Sequence, residues 1–526
     1  MNAFRSVAFV LTLGGFAAAG GCRVEGVEGV GEVERIDGAS HAEEAARANG
    51  VELGSGVARL MRGGQAPASV IVTLKGSADL SASKALATPA EKASFVYRAL
   101  ADQADRTQGA LVGWLSAQGA KFRAFHVTNA VVVYDASPAL VRQIAARGDV
   151  ARIAIDTPFK LSRPEPGPDA VRATPEDDAV LAPGSNIVAA GAVQVWEQFG
   201  TRGEGVVVAG QDTGYDWTHP ALRHHYRGYR GGVANHAYNW HDAIHAPIGG
   251  GSNPCGLDSP EPCDDDSHGT HTMGTIVGDD NAGNQVGMAP AARWIGCRNM
   301  DRGVGTPSTY IECFEWFLAP YPPGGNPRTD GDPTLAPDVI NNSWGCPPSE
   351  GCSGQEIVPA LQALHDAGVV VVVSAGNAGP SCGTIDDQPA TISDTTLSVG
   401  AYNHSTGAIA SFSSRGPSSL DNQPGPDVSA PGVNIRSSVP GGGYSNFFSG
   451  TSMASPHVVG EVALLLSADP SLKGNVDEIT NLVRATSTGK TSTQTCGGVS
   501  GSAVPNNTFG YGTINAHAAV SARLGN

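Results

Sequence analysis

The 526-residue sequence is poor in charged and aromatic side chains, which make up 16% and 6% of it. Past the N-terminal segment, no apolar run approaches the ~18 residues that a membrane-spanning helix needs. Basic residues are scarce as well: Lys and Arg number 33 against 50 Asp and Glu, for a net charge of −17. Because nucleic-acid-binding proteins usually carry basic surfaces, this balance argues against a nucleic-acid partner.

Cysteine is infrequent, and its spacing contains no CxxC pair of the kind that binds structural zinc. There are nine cysteines, at positions 22, 255, 263, 297, 313, 346, 352, 382 and 496. Setting Cys22 aside leaves eight, an even number that suggests disulfides in an exported domain. The closest pairs are 255 with 263 and 346 with 352. Pairing 297 with 313 and 382 with 496 uses up the rest, although the sequence does not fix the connectivity.

The N-terminus, MNAFRSVAFVLTLGGFAAAGGC, has one Arg, an apolar stretch and then small residues. This order predicts a secretory signal peptide over residues 1–21, with a buried helix or membrane anchor as the alternative. The protein is therefore expected to be secreted. The segment Ala19–Cys22 resembles a bacterial lipoprotein cleavage box, but Ala19 replaces the usual Leu. Lipid attachment to the cell envelope through Cys22 stays open.

The chain is too long for one ordinary domain, and its composition divides it into several parts. Residues 22–66 are rich in Gly, Glu and Ala and predict a flexible leader. Residues 67–160 have the order β-α-β-β-α-β of a small α+β ferredoxin-like domain, with a capping box at Thr88–Glu91. Residues 161–185 are rich in Pro, Gly and acidic residues, which predicts an exposed linker containing a processing site.

Residues 186–526 predict a large α/β domain. Short apolar runs such as GVVVAG (205–210), PDVINNS (337–343) and VVVVVS (369–374) alternate with helical stretches. This alternation indicates a parallel sheet flanked by helices, and the run of valines suits a strand buried on both faces. In such sheets active sites lie at the carboxyl ends of the strands.

Four polar residues stand where strands end or helices begin: Asp212, His268, Asn377 and Ser452. Each has an ordinary structural explanation on its own, as a turn residue, a structural histidine or a helix cap. The aspartates 264–266 fit a solvated loop. Taken together, the four residues supply what acyl transfer needs: a nucleophile, a base, a carboxylate that orients the base, and an oxyanion donor.

The order Asp, His, Ser, with intervals of 56 and 184 residues, is that of subtilisin rather than chymotrypsin. The segments DTGYDWTHP, HGTHTMGT, SAGN and GTSMASPH resemble the four active-site blocks of the subtilisin-like serine proteases, the subtilases. NNSWG, SFSSRGP, PDVSAPGVNIRSSVPG and GYGTINAHAAV are similar to that family too, and in particular to its bacillopeptidase F branch. The resemblance covers nearly all of residues 186–523, and residues 69–157 resemble the family's inhibitory propeptide.

The resemblance implies a serine endopeptidase with a subtilisin-like fold, made as a self-processing zymogen. Ser452 is expected to be the nucleophile, His268 the base, Asp212 its partner and Asn377 the oxyanion donor. Residues expected to line the substrate cleft are Ser343, Trp344, Gly345, Ala375 and Gly376, with a core aromatic as the alternative for Trp344. The expected partners are protein or peptide substrates and the chain's own propeptide, and the enzyme is expected to be monomeric.

No cofactor is expected for catalysis. Many relatives bind calcium through the loop that corresponds to residues 278–287 and add an acidic residue after a His-Pro turn, where this chain has Ala221. A structural calcium ion therefore has no assigned place, although Asp279, Asp280 and Asn281 offer oxygen ligands for a different site.

Three other functions fit the sequence less well than a protease does. An α/β-hydrolase esterase would use Ser452 in its Gly450–Ala454 turn with Asp469 or Asp477 and His517, but the required strands are not evident. An inactive binding homologue fits poorly, because all four positions hold catalytic residue types. A metallohydrolase that uses His268, His271 and the aspartate run lacks an H-E-x-x-H pattern.

Overall fold

The structure is a computed structural model. It describes residues 41–63, 66–163, 183–250, 252–346, 355–386, 389–391, 394–420 and 422–525. The predicted signal peptide, Cys22, Cys352 and most of the predicted linker lie outside these ranges. Within them, no helix combines the length and the apolar character that crossing a membrane requires.

The small N-terminal domain is a five-stranded sheet covered by helices. Its helices are α1 (41–48), α2 (Val57–Arg62), α3 (Pro89–Thr107), α4 (Gly109–Ala117) and α5 (Pro138–Ala145). Its strands are β1 (Glu52–Leu53), β2 (Ala68–Leu74), β3 (Lys121–Phe125), β4 (Ala130–Ala136) and β5 (Val150–Ile155). The strand order β1-β5-β2-β4-β3 contains the four predicted strands in a ferredoxin-like arrangement.

The start of the long helix in this domain follows its sequence. Thr88 Oγ1 accepts a hydrogen bond from the Glu91 N–H, and the Glu91 carboxylate accepts one from the Thr88 N–H. This is the predicted capping box, with Pro89 at the first helical position. The predicted single helix is divided at Gln108, where α3 ends and α4 begins.

The structure corrects the predicted flexible leader over residues 22–66, because residues 41–63 belong to the small domain. Val57, Leu60 and Met61 are buried in its core, and β1 pairs with β5 in parallel. The elements in this stretch are two to eight residues long, too short to show the sustained periodicity by which helices and strands are recognised in a sequence.

The large domain is built on a seven-stranded parallel sheet in the order β10-β11-β7-β14-β15-β16-β17. These strands are β7 (Val207–Asp212), β10 (Trp240–Asp242), β11 (Arg293–Arg298), β14 (Val339–Asn342), β15 (Val370–Ser374), β16 (Leu397–Tyr402) and β17 (Val428–Pro431). Its helices are α6 (Ser185–Ala189), α7 (Ala192–Phe199), α8 (Pro220–Arg223), α9 (His268–Val277), α10 (Pro307–Leu318), α11 (Val358–Asp366), α12 (Thr451–Ala468), α13 (Val476–Thr486) and α14 (Ala516–Leu524).

Further strands lie outside the central sheet. They are β6 (Phe159–Lys160), β8 (Tyr229–Arg230), β9 (Val233–Ala234), β12 (Met300–Asp301), β13 (Val304–Gly305), β18 (Ile435–Val439) and β19 (Gly443–Phe448). Strands β12, β13 and β6 form a separate antiparallel sheet, in which β6 comes from the end of the small domain.

The predicted parallel sheet, buried on both faces, is confirmed. In β15, Val370 and Val372 belong to one apolar core, whereas Val371 and Val373 belong to the core on the opposite side of the sheet. This alternation explains why the run of valines is continuous rather than interrupted by polar residues. The edge strands β10 and β17 were not predicted, because their sequences WHD and VSAP are short and contain no continuous apolar run.

Three of the four suggested cysteine pairs form disulfides: Cys255 with Cys263, Cys297 with Cys313, and Cys382 with Cys496. The fourth suggested pair includes Cys352, which lies outside the described residues. The Cys382–Cys496 bond connects positions 114 residues apart and so joins the region after β15 to the C-terminal part of the domain.

The small domain docks on helix α10 through polar contacts at both ends of that helix. The Asp156 carboxylate accepts hydrogen bonds from the Ser308 N–H at 2.9 Å and the Ser308 hydroxyl at 2.7 Å, at the start of α10. Further along α10, the Glu315 carboxylate accepts from the His126 N–H at 2.7 Å. Negative charge at a helix N-terminus is favourable, so Asp156 both orients the domain and stabilises α10.

Candidate active site

The carboxyl ends of three neighbouring strands place the predicted site residues at one edge of the sheet. Asp212 is the last residue of β7, Ser343 directly follows β14, and Asn377 lies three residues after β15. Because β7, β14 and β15 are adjacent and parallel, these residues converge. Helices α9 and α12, which carry His268 and Ser452, pack against each other on this side.

His268 and Asp212 form a buried hydrogen-bonded pair. His268 Nδ1 lies 2.7 Å from Asp212 Oδ1, and both side chains are almost completely buried. Asp212 is held in turn by the Thr213 N–H at 2.8 Å and the Thr272 hydroxyl at 3.3 Å. A carboxylate only accepts hydrogen bonds, so Nδ1 donates the proton in this contact and Nε2 takes no part in it.

The turn before His268 is fixed by Asp264, which the sequence alone suggested only as part of a solvated loop. Its carboxylate accepts hydrogen bonds from the N–H groups of Asp266, Ser267 and Thr270, at 2.9 to 3.0 Å. These bonds hold Ser267 at a positive φ of 84°, which few residues adopt. Burial raises the pKa of the Asp264 carboxyl, although the surrounding donors oppose that rise. Asp264 thus fixes the backbone turn from which the His268 side chain extends.

Ser452 is the second residue of α12 and is 4% exposed. Its hydroxyl donates to the Ser343 carbonyl oxygen at 3.0 Å, and the Ser343 hydroxyl donates to the Ser452 carbonyl oxygen at 2.9 Å. The nearby Ser455 donates to Asn341 Oδ1, and His457 Nδ1 lies 2.9 Å from the Met453 carbonyl oxygen. Ser455 is therefore engaged with strand β14, and His457 with the backbone of its own helix and with the side chain of Asn186.

The amide of Asn377 is oriented by its neighbours. Its Oδ1 accepts from the N–H and the hydroxyl of Thr451, at 2.9 and 3.0 Å, which turns Nδ2 toward the cleft. There Nδ2 donates to the carbonyl oxygen of Ser162 at 3.4 Å. Asn377 thus lies beside Ser452 with its donor pointing at a peptide carbonyl that comes from outside the large domain.

The residues expected to line the cleft are placed differently from one another. Ser343 and Ala375 are fully buried and Gly376 is buried, while Gly345 is only half-buried. The side chain of Trp344 is 1% exposed and stacks on Tyr310 with 3.7 Å between ring centroids. The Trp344 side chain belongs to the apolar cluster that also contains Tyr310 and Phe159.

The end of the small domain forms a short strand beside these residues, and the predicted linker begins directly after it, at residue 161. Strand β6 pairs antiparallel with β13, Phe159 opposite Gly305 and Lys160 opposite Val304. Phe159 is 5% exposed and packs on Tyr310, with ring centroids 5.5 Å apart. The sequence feature that could have indicated this pairing is Gly303-Val304-Gly305. A Cβ on Gly305 would lie 2.3 Å from the Tyr310 hydroxyl, so glycine is needed there.

In the loop of residues 278–287, where calcium ligands were considered, the Asp280 carboxylate is hydrogen-bonded to donors of the protein. The Asp280 carboxylate accepts from the Asn284 N–H, the Asn284 side-chain amide and the Tyr444 hydroxyl, at 2.6 to 3.0 Å. In the described parts of the chain, no group of three His, Cys, Asp or Glu residues is arranged to hold a metal.

His271, on the same helix as His268, faces the Ile435 carbonyl oxygen and stacks on Phe448. Burial lowers the pKa of its imidazole to about 3.

A buried carboxyl further along α12 makes stability depend on pH. Burial raises the pKa of Glu461 from 4.5 to about 8, and the backbone at Asn515 offsets this only in part. Between these values the folded protein keeps a proton that the unfolded chain has released, so stability falls as pH rises through this window. In a Ser452→Ala background, Glu461→Gln should raise the melting temperature at pH 8 by at least a few degrees, with a smaller gain at pH 5.

The control for this prediction is Glu478→Gln, which changes a half-exposed carboxyl paired with Arg523 on the surface. It should leave the pH dependence of the melting temperature unchanged. Parallel curves for the Glu461→Gln and Ser452→Ala proteins between pH 5 and pH 8 would contradict the assignment.

Sequence comparison identifies the class of protein that this fold and site define. A model of the subtilase family matches residues 203–512, more than half of the chain. The chain therefore belongs to the subtilase family of serine proteases.

Among individual relatives, the chain is 36% identical over 466 residues to bacillopeptidase F of Bacillus subtilis (strain 168). It is also 34% identical over 273 residues to subtilisin E of the same strain. These alignments cover 85% and 52% of the chain, respectively. They span 30% of bacillopeptidase F and 58% of subtilisin E, so the chain matches only part of each relative.

Proposed function

We propose that the chain is a secreted serine endopeptidase that cleaves peptide bonds through an acyl-enzyme intermediate. The observation that carries this proposal is that a buried His268–Asp212 pair, Ser452 and Asn377 lie at one edge of the sheet, where Asn377 Nδ2 donates to the carbonyl oxygen of Ser162. Export rests on the N-terminal signal sequence. Lipid attachment at Cys22 gains no further support, and we restrict the proposal to export.

In the proposed mechanism, Ser452 Oγ attacks the carbonyl carbon of the substrate while His268 Nε2 takes its proton. The hydroxyl first turns away from the Ser343 carbonyl oxygen, to which it donates in this structure. Asp212 stabilises the imidazolium that forms, because its carboxylate lies 2.7 Å from Nδ1. His268 then protonates the leaving amine, and water releases the acyl group by the same steps in reverse.

The negative charge that develops on the carbonyl oxygen is stabilised from two directions. Asn377 Nδ2 donates from one side, held by Thr451. The Ser452 N–H lies in the first turn of α12, where helix N–H groups are free and the helix dipole favours negative charge. Donors that are fixed before the reaction need no reorganisation in the transition state.

We further propose that the small domain keeps the precursor inactive. It binds α10 through Asp156 and Arg123, whose guanidinium lies 2.7 Å from the Glu312 carboxylate. From there its C-terminal end enters the cleft as an added strand, the manner in which extended peptides bind to sheet edges. A substrate cannot pair with β13 while β6 does.

An esterase of the α/β-hydrolase class is less consistent with the described contacts. The residues that would complete its triad have other partners: Asp469 pairs with Arg523 at 2.6 Å and accepts from the Ser471 N–H. His517 Nε2 lies 2.6 Å from Gln198 Oε1 at the surface. None of these contacts points toward Ser452.

A fluorophosphonate, which phosphonylates activated serines, tests the proposed function. The matured enzyme should gain one adduct on the peptide that contains Ser452 and should lose casein hydrolysis in proportion to the adduct. Activity that survives full labelling, or labelling elsewhere, would overturn the proposal. Loss of activity in EDTA without loss of labelling would favour a metallohydrolase instead.

Removing the proposed oxyanion donor should slow the reaction without unfolding the protein. Asn377→Ala is expected to lower kcat about 10²- to 10³-fold with little change in KM, since the donor acts on charge present mainly in the transition state. Steady-state kinetics on a quenched fluorogenic peptide measure both constants. Asn403→Ala, at a surface turn where Asn403 accepts from the Ser405 N–H, is the control. A change confined to KM would contradict the assigned role.

A further inference from the structure

Residues 159–163, here called the tail, begin with β6, whose register on β13 identifies one particular peptide bond. The Leu161 N–H donates to the Gly303 carbonyl oxygen at 2.7 Å, which continues the β6–β13 pairing by one residue. The next carbonyl, that of Ser162, accepts from Asn377 Nδ2 at 3.4 Å. In acyl transfer the oxyanion donor contacts the oxygen of the bond being cleaved. The bond in register is therefore Ser162–Arg163.

The residue after this bond is held by a carboxylate beside the proposed base. The Arg163 guanidinium forms an ion pair with Asp266, two residues before His268, and lies over the ring of Phe448 at 5.7 Å. The side chains of Asp266 and Arg163 are 19% and 40% exposed, so the pair is only partly shielded from water. The ion pair with Asp266 thus holds the side chain of Arg163, the first residue after the bond in register.

The other two aspartates of the run are committed elsewhere. Asp265 lies 2.6 Å from the buried Arg298, and Asp264 accepts hydrogen bonds from the turn that precedes His268. Asp266 is the member of the run that faces the tail. Asp264 and Asp265 therefore have structural roles, and Asp266 contacts the segment that contains Arg163.

We propose that the chain cleaves itself between Ser162 and Arg163, and that Asp266 selects a basic residue directly after the bond that is cut. The proposal rests on the proposed function above. Ser452 Oγ forms a bond to the Ser162 carbonyl carbon, and the bond to the Arg163 nitrogen breaks. The proton of the Ser452 hydroxyl passes through His268 to that nitrogen. Water then releases the small domain with a carboxylate at Ser162.

The first experiment locates the bond in the full-length wild-type chain during early maturation. Intact mass spectrometry of the released N-terminal fragment should give a C-terminus at Ser162, and the first large fragment should begin at Arg163. An active enzyme whose released fragment ends elsewhere at the earliest times would overturn the processing site but leave the proposed function standing. A chain that neither matures nor reacts with a fluorophosphonate would instead overturn the proposed function.

A second experiment tests the role of Asp266 in selection. Quenched peptides based on residues 157–165, TPFKLSRPE, would carry Arg, Lys, Ala or Glu at the position of Arg163. The mature enzyme should cleave the Arg and Lys peptides roughly five- to tenfold faster than the Ala peptide by kcat/KM, as expected for a partly shielded ion pair. Asp266→Asn should bring the ratio of Arg to Ala near one, and Asp266→Lys should favour Glu. Asp332→Asn, a turn cap elsewhere on the domain, should keep the wild-type ratio.

A charge exchange separates recognition from general damage to the site. In the full chain, Arg163→Glu should slow precursor cleavage about tenfold, and combining it with Asp266→Lys should restore the rate to within about threefold of wild type. An Arg-to-Ala ratio that is unchanged by Asp266→Asn, or a double variant slower than both single variants, would overturn the role of Asp266.

Discussion

Ser452→Ala is expected to abolish proteolysis and to leave the chain as an uncleaved precursor. Without the hydroxyl no acyl-enzyme can form, and the expected fall in kcat is roughly 10⁶-fold, a magnitude known for the nucleophile of subtilisin. The side chain is small and its hydroxyl makes one hydrogen bond, to Ser343, so the fold should persist. Gel analysis of maturation, fluorophosphonate labelling and casein hydrolysis measure the three consequences separately.

The matched control is Ser455→Ala, one turn further along the same helix. Ser455 is equally buried and donates to Asn341, but its hydroxyl lies outside the proposed catalytic group. This variant should mature and should retain activity within about tenfold of wild type. If Ser452→Ala matures at the wild-type rate, Ser452 is not the nucleophile.

Asp212→Asn should give the second largest loss, about 10⁴-fold in kcat, with little effect on substrate binding. An amide can donate to Nδ1, which would place the ring proton on Nε2 and remove the base from the serine. The fluorophosphonate reaction should slow in parallel, since it uses the same activated hydroxyl. A melting temperature near that of the wild type would show that the fold survives the change.

Thr272→Val provides a graded comparison for Asp212→Asn. It removes the longer hydrogen bond to the other carboxylate oxygen, 3.3 Å, and leaves the His268–Asp212 contact in place. Activity should fall by less than about tenfold. Equal losses in the two variants would mean that Asp212 acts through general packing rather than through the tautomer of His268.

The sequence predicts the central sheet and the spatial grouping of the site because both depend on local patterns. A run of valines marks a strand buried on both faces, and polar residues directly after such strands converge at one edge. The structure places Ser455 and His457 in the first two turns of the helix that begins at Thr451.

What the sequence did not predict depends on contacts between distant segments. Nothing in TPFKLSR marks it as a strand, because β6 is two residues long and exists only by pairing with β13. The roles of the three aspartates before His268 differ only through their partners, Arg298, Arg163 and the turn itself. The short elements of residues 41–63 acquire their structure from the sheet they cover, and no periodic pattern within them records it.

The added strand of the small domain has a consequence for how the enzyme would be switched on. While the chain is intact, the tail competes for the cleft at an effective concentration fixed by its tether, of millimolar order. After cleavage at the bond in register, the same fragment binds only through its contacts with α10 and the cleft, at its bulk concentration. Cleavage would then weaken the inhibition by the small domain only in part, and dilution would complete the activation. A concentrated solution of the cleaved protein would stay inhibited, and a diluted one would become active.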